Sequence, residues 1–155
     1  LAIVSFLIVI FVFDLKHFII PDEAVFSAIG FVFLYHLIKF FVFGPSYLPL
    51  IYNLGFGLLP ALFLLALILF SRGRWMGMGD FKLAVFMGLF LGWPNVLVAI
   101  FSAFFMGAIV GITLMILKKK GMKSEIPFGP FLIIGTFLAL FWASRIVDWY
   151  LNPVL

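Results

Sequence analysis

Apolar residues run along this chain almost without a break, and short polar or Gly/Pro-rich stretches divide them into six segments. The first covers about Leu1 to Phe13 and the second about Ala24 to Phe43. A Gly44-Pro45-Ser46 turn leads to the third, about Leu48 to Phe70. The fourth, Phe81 to Leu91, stops at Gly92-Trp93-Pro94-Asn95. The fifth spans about Val96 to Leu117 and the sixth about Phe128 to Val147. Runs this long, without alternation, predict helices and exclude the strands of a closed barrel. At 1.5 Å per residue the fourth segment reaches only about 17 Å. It either begins further back, near Trp75, or enters the membrane without crossing it.

Composition turns this pattern into a fold class. The chain is 66% hydrophobic and 10% charged, with a mean hydropathy of +1.34. A water-soluble domain of 155 residues could not hide so much apolar surface. The expected architecture is an all-α polytopic membrane protein of about six transmembrane helices, since each crossing needs about 20 residues. We read residues 1–155 as one membrane-embedded domain, with truncation at its N-terminus left open. The chain opens at Leu1 inside an apolar run and has no basic stretch before it, unlike a signal peptide.

Charge then orients the segments. Eight of the ten basic residues (Lys16, Arg72, Arg74, Lys82, Lys118, Lys119, Lys120 and Lys123) fall at the loops joining segments one and two, three and four, or five and six. The loops Gly44 to Tyr47 and Gly92 to Asn95 carry no charge. Basic loops stay in the cytoplasm, so these three loops are expected there, with the C-terminus outside. The net charge of +4 therefore reports topology, and no nucleic-acid partner is implied. Asp14, Asp22, Glu23, Asp80 and Glu125 fall on the same expected cytoplasmic side.

Two of these acids are candidates for chemistry. Asp80 closes the string Gly77-Met78-Gly79-Asp80, followed by Phe81-Lys82, at the mouth of an apolar segment; Asp14 ends another. A carboxylate inside a bilayer is costly, so it needs a partner, a wet cavity or a role. Two carboxylates brought together could hydrolyse a peptide. Like charges a few Å apart do not both ionise, and the pair titrates as a unit, one member accepting a proton from water while the other donates one. Asp80 near a helix N-terminus favours the anion and Asp14 near a C-terminus disfavours it, which makes Asp80 the base and Asp14 the acid. Gly77 and Gly79 lack Cβ atoms and permit positive φ, so backbone or water can approach the carboxylate. Each aspartate also has a plainer reading: Asp80 as a helix cap, Asp14 paired with Lys16 at the headgroups.

Other chemistries find little support. The chain has no cysteine, only His17 and His36, no His-Glu-x-x-His and no Gly-x-Ser-x-Gly. Neither a metal nor an organic cofactor is expected. His17, three residues beyond Asp14, reads as an interfacial residue. Gly88, Gly92, Gly107 and Gly111, spaced in pairs four apart, read as helix-packing positions.

Three blocks, taken in order, carry a resemblance. Asp14-Leu15-Lys16-His17-Phe18-Ile19-Ile20-Pro21-Asp22, Gly77-Met78-Gly79-Asp80-Phe81-Lys82 and Ile126-Pro127-Phe128-Gly129-Pro130 resemble those of the type IV prepilin peptidases, membrane aspartyl proteases named for their Gly-x-Gly-Asp motif. The resemblance runs from Asp14 to about Trp142. It implies Asp14 and Asp80 as the catalytic pair and a prepilin-type leader peptide as substrate, cut after a glycine at the cytoplasmic face. By the same match Asp22 is a neighbour of the pair and not a member, read here as a cap for segment two.

Gly77, Gly79, Lys82, Pro127, Phe128, Gly129 and Pro130 are expected to support the site. The Pro127–Pro130 turn, denied regular helix by its composition, is read either as bordering a substrate channel or as a plain helix start. Lys82 is read as steering peptide or biasing the carboxylate pair, or else as a snorkelling lysine. Many bacterial members of the family also carry a cysteine-containing cytoplasmic domain and methylate the new N-terminus; nothing here resembles that part. Archaeal-type preflagellin peptidases, a small proton-coupled transporter using the two aspartates, and an inactive fragment stand as alternatives. The partners expected are the leader peptide and the lipid bilayer, with oligomeric state open.

Overall fold

The computed structural model describes residues 2–44, 48–117 and 126–151. Helices account for nearly all of them, and no strand occurs among the described residues. They are α1 (Ala2–His17), α2 (Asp22–Phe43), α3 (Leu48–Gly57), α4 (Leu59–Ser71), α5 (Met78–Leu91), α6 (Asn95–Ile116) and α7 (Gly129–Leu151). The protein is an all-α membrane protein. Its exterior is inverted relative to that of a water-soluble fold: Phe41, Phe70 and Phe101 are 78%, 81% and 71% exposed, as lipid-facing side chains should be.

All six apolar segments are helical, but they are not six equal spans. Four stretches are long and apolar enough to cross a membrane: Asp22–Phe43, Ile51–Ser71, Asn95–Ile116 and Gly129–Trp149. The third segment breaks at Leu58 into α3 and α4. Pro60 explains the break, because its ring has no N–H to give to the carbonyl four residues back, at Phe56, and crowds it instead. The fourth segment begins at Met78, between the two starts expected for it. At 14 residues it is still only about 21 Å long, too short to cross alone. Lys118, Lys119, Lys120, Lys123 and Glu125 lie outside the described residues, as do Pro45 and Ser46.

Short as it is, α5 is the axis of the fold, packed against α2, α3, α4, α6 and α7. Leu83, Ala84, Phe86 and Met87 are wholly buried. Close approach is made possible by absent side chains. A methyl group added at Gly57 would lie 2.6 Å from the Gly88 carbonyl oxygen, and one added at Gly88 would strike Gly57 in return. Gly135 of α7 meets the Ala99 backbone of α6 in the same way. The packing role expected of Gly88 therefore holds. Gly92 also ends α5 at φ +68, and its Cα lies 3.3 Å from a methyl group added at Gly57, so it serves both the turn and the close approach. Gly107 and Gly111 face Phe128 and Ile126 at ordinary contact distances.

A helix that ends among other helices must still satisfy its last carbonyls. Gly92 N–H donates to Gly88 O (3.0 Å), but Trp93 N–H turns away to Asn53 O (3.1 Å). Leu89 O, which Trp93 would otherwise serve, accepts instead from His36 Nε2 of α2 at 3.1 Å. His36→Leu is therefore expected to cost about 1–3 kcal/mol, read as a lower melting temperature in detergent. His36→Gln, which retains a donor, should recover part of the loss.

Candidate active site

Asp14 occupies the last turn of α1. Its backbone carbonyl accepts from Phe18 N–H at 3.0 Å, and Phe18 takes the left-handed conformation, φ +56, which ends the helix and reverses the chain. The carboxyl group is 4% exposed. It makes no pair with Lys16, so the headgroup reading of Asp14 fails. The Gly129 backbone lies close against the carboxyl group, yet Oδ2 is buried with no hydrogen-bond partner.

Asp80 sits in the first turn of α5 and is 7% exposed. Oδ2 accepts from Gly77 N–H at 3.1 Å, while Asp80 N–H donates to Gly77 O at 3.2 Å. This reciprocal arrangement closes the start of the helix, much as a capping box does. The cap reading of Asp80 is thus correct, and it coexists with a place in the site. Gly77 is extended at φ −84, ψ 158, so positive φ is not the reason for glycine there. At Gly79 the reason is closeness: an added methyl group would lie 2.9 Å from Ile20 Cβ.

Both carboxyl groups open onto one cavity of about 650 Å³. Its wall is built from the α1–α2 connection (Phe18, Ile19, Ile20, Asp22), the stretch before α5 (Gly73 to Gly77, with Gly79) and Ile126, Pro127 and Phe128. Two distant motifs therefore meet, because α5 packs on α7 and α7 on α1. Gly129 and Pro130 open helix α7 and are buried beside the wall. Phe128 O accepts from Phe131 N–H (3.0 Å) and Leu132 N–H (3.2 Å). The Pro127–Pro130 block is both a helix start and, through its first half, cavity lining.

One expectation is corrected. Asp22 does not cap α2: Pro21 holds the cap position and no side chain bonds there. Instead both Asp22 oxygens accept from Lys82 Nζ at 2.7 Å, and Lys82 also lies 5.4 Å from the Phe26 ring centre. Lys82 thereby links α2 and α5 through an exposed ion pair. Arg74, Trp75 and Ile20 reach the wall without having been singled out as site residues. Arg74 had read as a topology signal, and nothing local marks an isoleucine as cavity lining.

The cavity that both aspartates line has room for water and a stretch of peptide backbone. No group of three or more His, Asp or Glu side chains able to hold a metal occurs among the described residues.

Comparison with known proteins places the sequence in a family. The profile described as the type IV leader peptidase family matches residues 1–112. The prepilin leader peptidase/N-methyltransferase of Aeromonas hydrophila is 32% identical over 143 residues, covering 92% of this chain and 48% of the relative. That of Aeromonas salmonicida strain A449 is 41% identical over 80 residues, 52% of this chain and 28% of its own length. The Legionella pneumophila protein is 39% identical over 77 residues, covering 50% and 27%. The chain thus spans less than half the length of these relatives. No solved structure gives a significant match. With a family profile across most of its length and both aspartate motifs at one cavity, the chain belongs to the type IV leader peptidase family.

Proposed function

We propose that this protein is an aspartic endopeptidase that removes the leader from prepilin-type precursors at the cytoplasmic face of the membrane. The observation that carries the reading is the pair of buried carboxyl groups, Asp14 and Asp80, brought from separate elements to one cavity. Their roles are assigned from their surroundings. Asp80 Oδ2 takes an amide hydrogen bond at a helix N-terminus, where a negative charge is favoured. Asp14 lies in the last turn of α1, where the helix dipole disfavours an anion, and its buried Oδ2 has no hydrogen-bond partner to stabilise a charge.

In the proposed reaction Asp80 removes a proton from water as the oxygen attacks the scissile carbonyl carbon. Asp14 gives its proton to the carbonyl oxygen, forming a neutral tetrahedral diol. Asp80 then passes its proton to the leaving nitrogen while Asp14 recovers one from the diol, and the C–N bond breaks. The pair is returned to its starting state, and no cofactor takes part. The lysine-rich loops on the aspartate side support the cytoplasmic assignment.

A proton relay across the membrane is the less supported reading. The buried polar residues described are Asp14, Asp80, Ser71 and Thr136. Ser71 donates to Ile68 O and Thr136 to Leu132 O within their own helices, so no polar path leads away from the pair among the described residues.

The test is incubation of the purified chain with a synthetic prepilin-type peptide carrying a basic leader, a glycine and the start of an apolar helix. Mass spectrometry should find a single cut after the glycine. An intact peptide with a well-folded protein would refute the assignment, and preferred cleavage of a flagellin-type precursor would shift the substrate.

A further inference from the structure

Ile20 stands between the two glycines that adjoin the carboxylates. A methyl group added at Gly79 would lie 2.9 Å from Ile20 Cβ and 3.2 Å from its Cδ1. One added at Gly129 would lie 3.2 Å from the same Cδ1, besides striking the Asp14 carboxyl group. One side chain thus fills the notch between the start of α5, which carries Asp80, and the start of α7, which abuts Asp14. Ile20 is half-buried and packed against the core, and it also lines the cavity. The chain accepts strain to put it there, because Phe18 at φ +56 is a costly conformation for a bulky residue. Pro21 then holds the next position at φ −68.

We infer that Ile20 is a positioning residue that sets the separation of the two carboxyl groups, acting as a spacer between the Gly79 and Gly129 backbones. The inference rests on the proposed peptidase reading and deepens it. Neither aspartate is fixed to the other by any direct bond. Their relative placement depends on how closely α5 and α7 approach the α1–α2 connection, and Ile20 Cδ1 lies close to both glycines. Asp22, held by Lys82, and Arg74 are the other charged groups on the cavity wall. Both are present whichever residue occupies position 20.

Ile20→Val removes that δ-carbon alone, and Ile20→Ala removes the γ-carbons as well. Two readouts are taken on folded protein in detergent, with the melting temperature as control. In the cleavage assay kcat is expected to fall about threefold for valine and at least about thirtyfold for alanine, since misplacements near 1 Å can cost about a hundredfold. KM should stay within about threefold. In infrared difference titration of the carboxyl bands, the spacing between the two ionisation steps should change in the alanine variant, because that spacing reports the interaction within the pair.

An unchanged titration, with kcat and melting temperature falling together, would show a merely structural side chain and overturn the inference. The titration does not depend on turnover. If the unaltered protein failed to cleave, the peptidase reading would fall, while the carboxyl spectra would still decide whether Ile20 spaces the pair.

Discussion

Asp80→Asn is expected to reduce cleavage of the synthetic prepilin at least about a thousandfold while leaving the fold intact, and Asp14→Asn should do the same. The first substitution separates chemistry from structure with particular clarity. The side-chain carbonyl of an asparagine at position 80 can still accept the Gly77 N–H that Asp80 now takes at 3.1 Å. The helix start therefore survives while the proton acceptor is lost. Asp80→Ala should remove both, costing about 1 kcal/mol of stability as well as activity. Comparing the melting temperatures of the two variants thus checks the cap and the base independently. Asp14→Asn places an amide where a buried oxygen lacks a donor, and a small stability change there is compatible with the reading. Peptidase activity that survived in either asparagine variant, with contaminating proteases excluded, would remove that residue from the mechanism.

Gly129→Ala is expected to lower kcat by about a hundredfold or more, because a displacement near 1 Å at a reacting group has effects of that order. The added Cβ would overlap Asp14 Oδ2 and lie 3.2 Å from both Asp14 Cγ and Ile20 Cδ1. Alanine suits the first turn of a helix, so secondary structure is not at risk. Either the carboxyl group or the start of α7 must shift. Gly107→Ala is the matched control, since its added methyl group would meet Phe128 and Phe131 at 3.5–3.7 Å, ordinary contact, and activity should change less than about twofold. A bulkier residue at 129 should abolish cleavage. Equal activity in Gly129→Ala and the unaltered protein, both folded, would show that Asp14 does not work from the position it holds here.

Much of the architecture was open to reading from residue types alone. Continuous apolar runs can only be helices in lipid, where each backbone group must find a partner within its own segment. The segment boundaries were accordingly close, with α2, α6 and α7 starting or ending within a few residues of the expected places. The break at Leu58 was harder to read, although Pro60 was its local cause. A proline in a membrane helix can be absorbed by neighbours, and here packing of Gly57 against Gly88 accompanies a one-residue break at Leu58. The end of α5 depended on His36 and Asn53, partners from other helices, which no local pattern could supply.

The same division runs through the site. Asp14 and Asp80 were legible because ionisable groups are expensive among so many apolar neighbours. Their surroundings were not. Asp22 looked like a cap because it follows proline before a helix, but whether a carboxylate caps or pairs depends on what approaches it, and Lys82 of α5 does. Gly79 was expected to admit substrate backbone or water and Gly129 to break the helix, whereas in the structure Ile20 presses against Gly79 and the Asp14 carboxyl group and Ile20 press against Gly129.

By itself, then, the amino-acid order determined a helical membrane protein and the two acids worth suspecting. Those are consequences of solvation cost, which every residue carries with it. Tertiary structure alone decided that the acids share a cavity, that Lys82 is held by Asp22 and that Ile20 lies between two glycines. Such facts concern distances between segments, and a distance of that kind exists only once helices have packed.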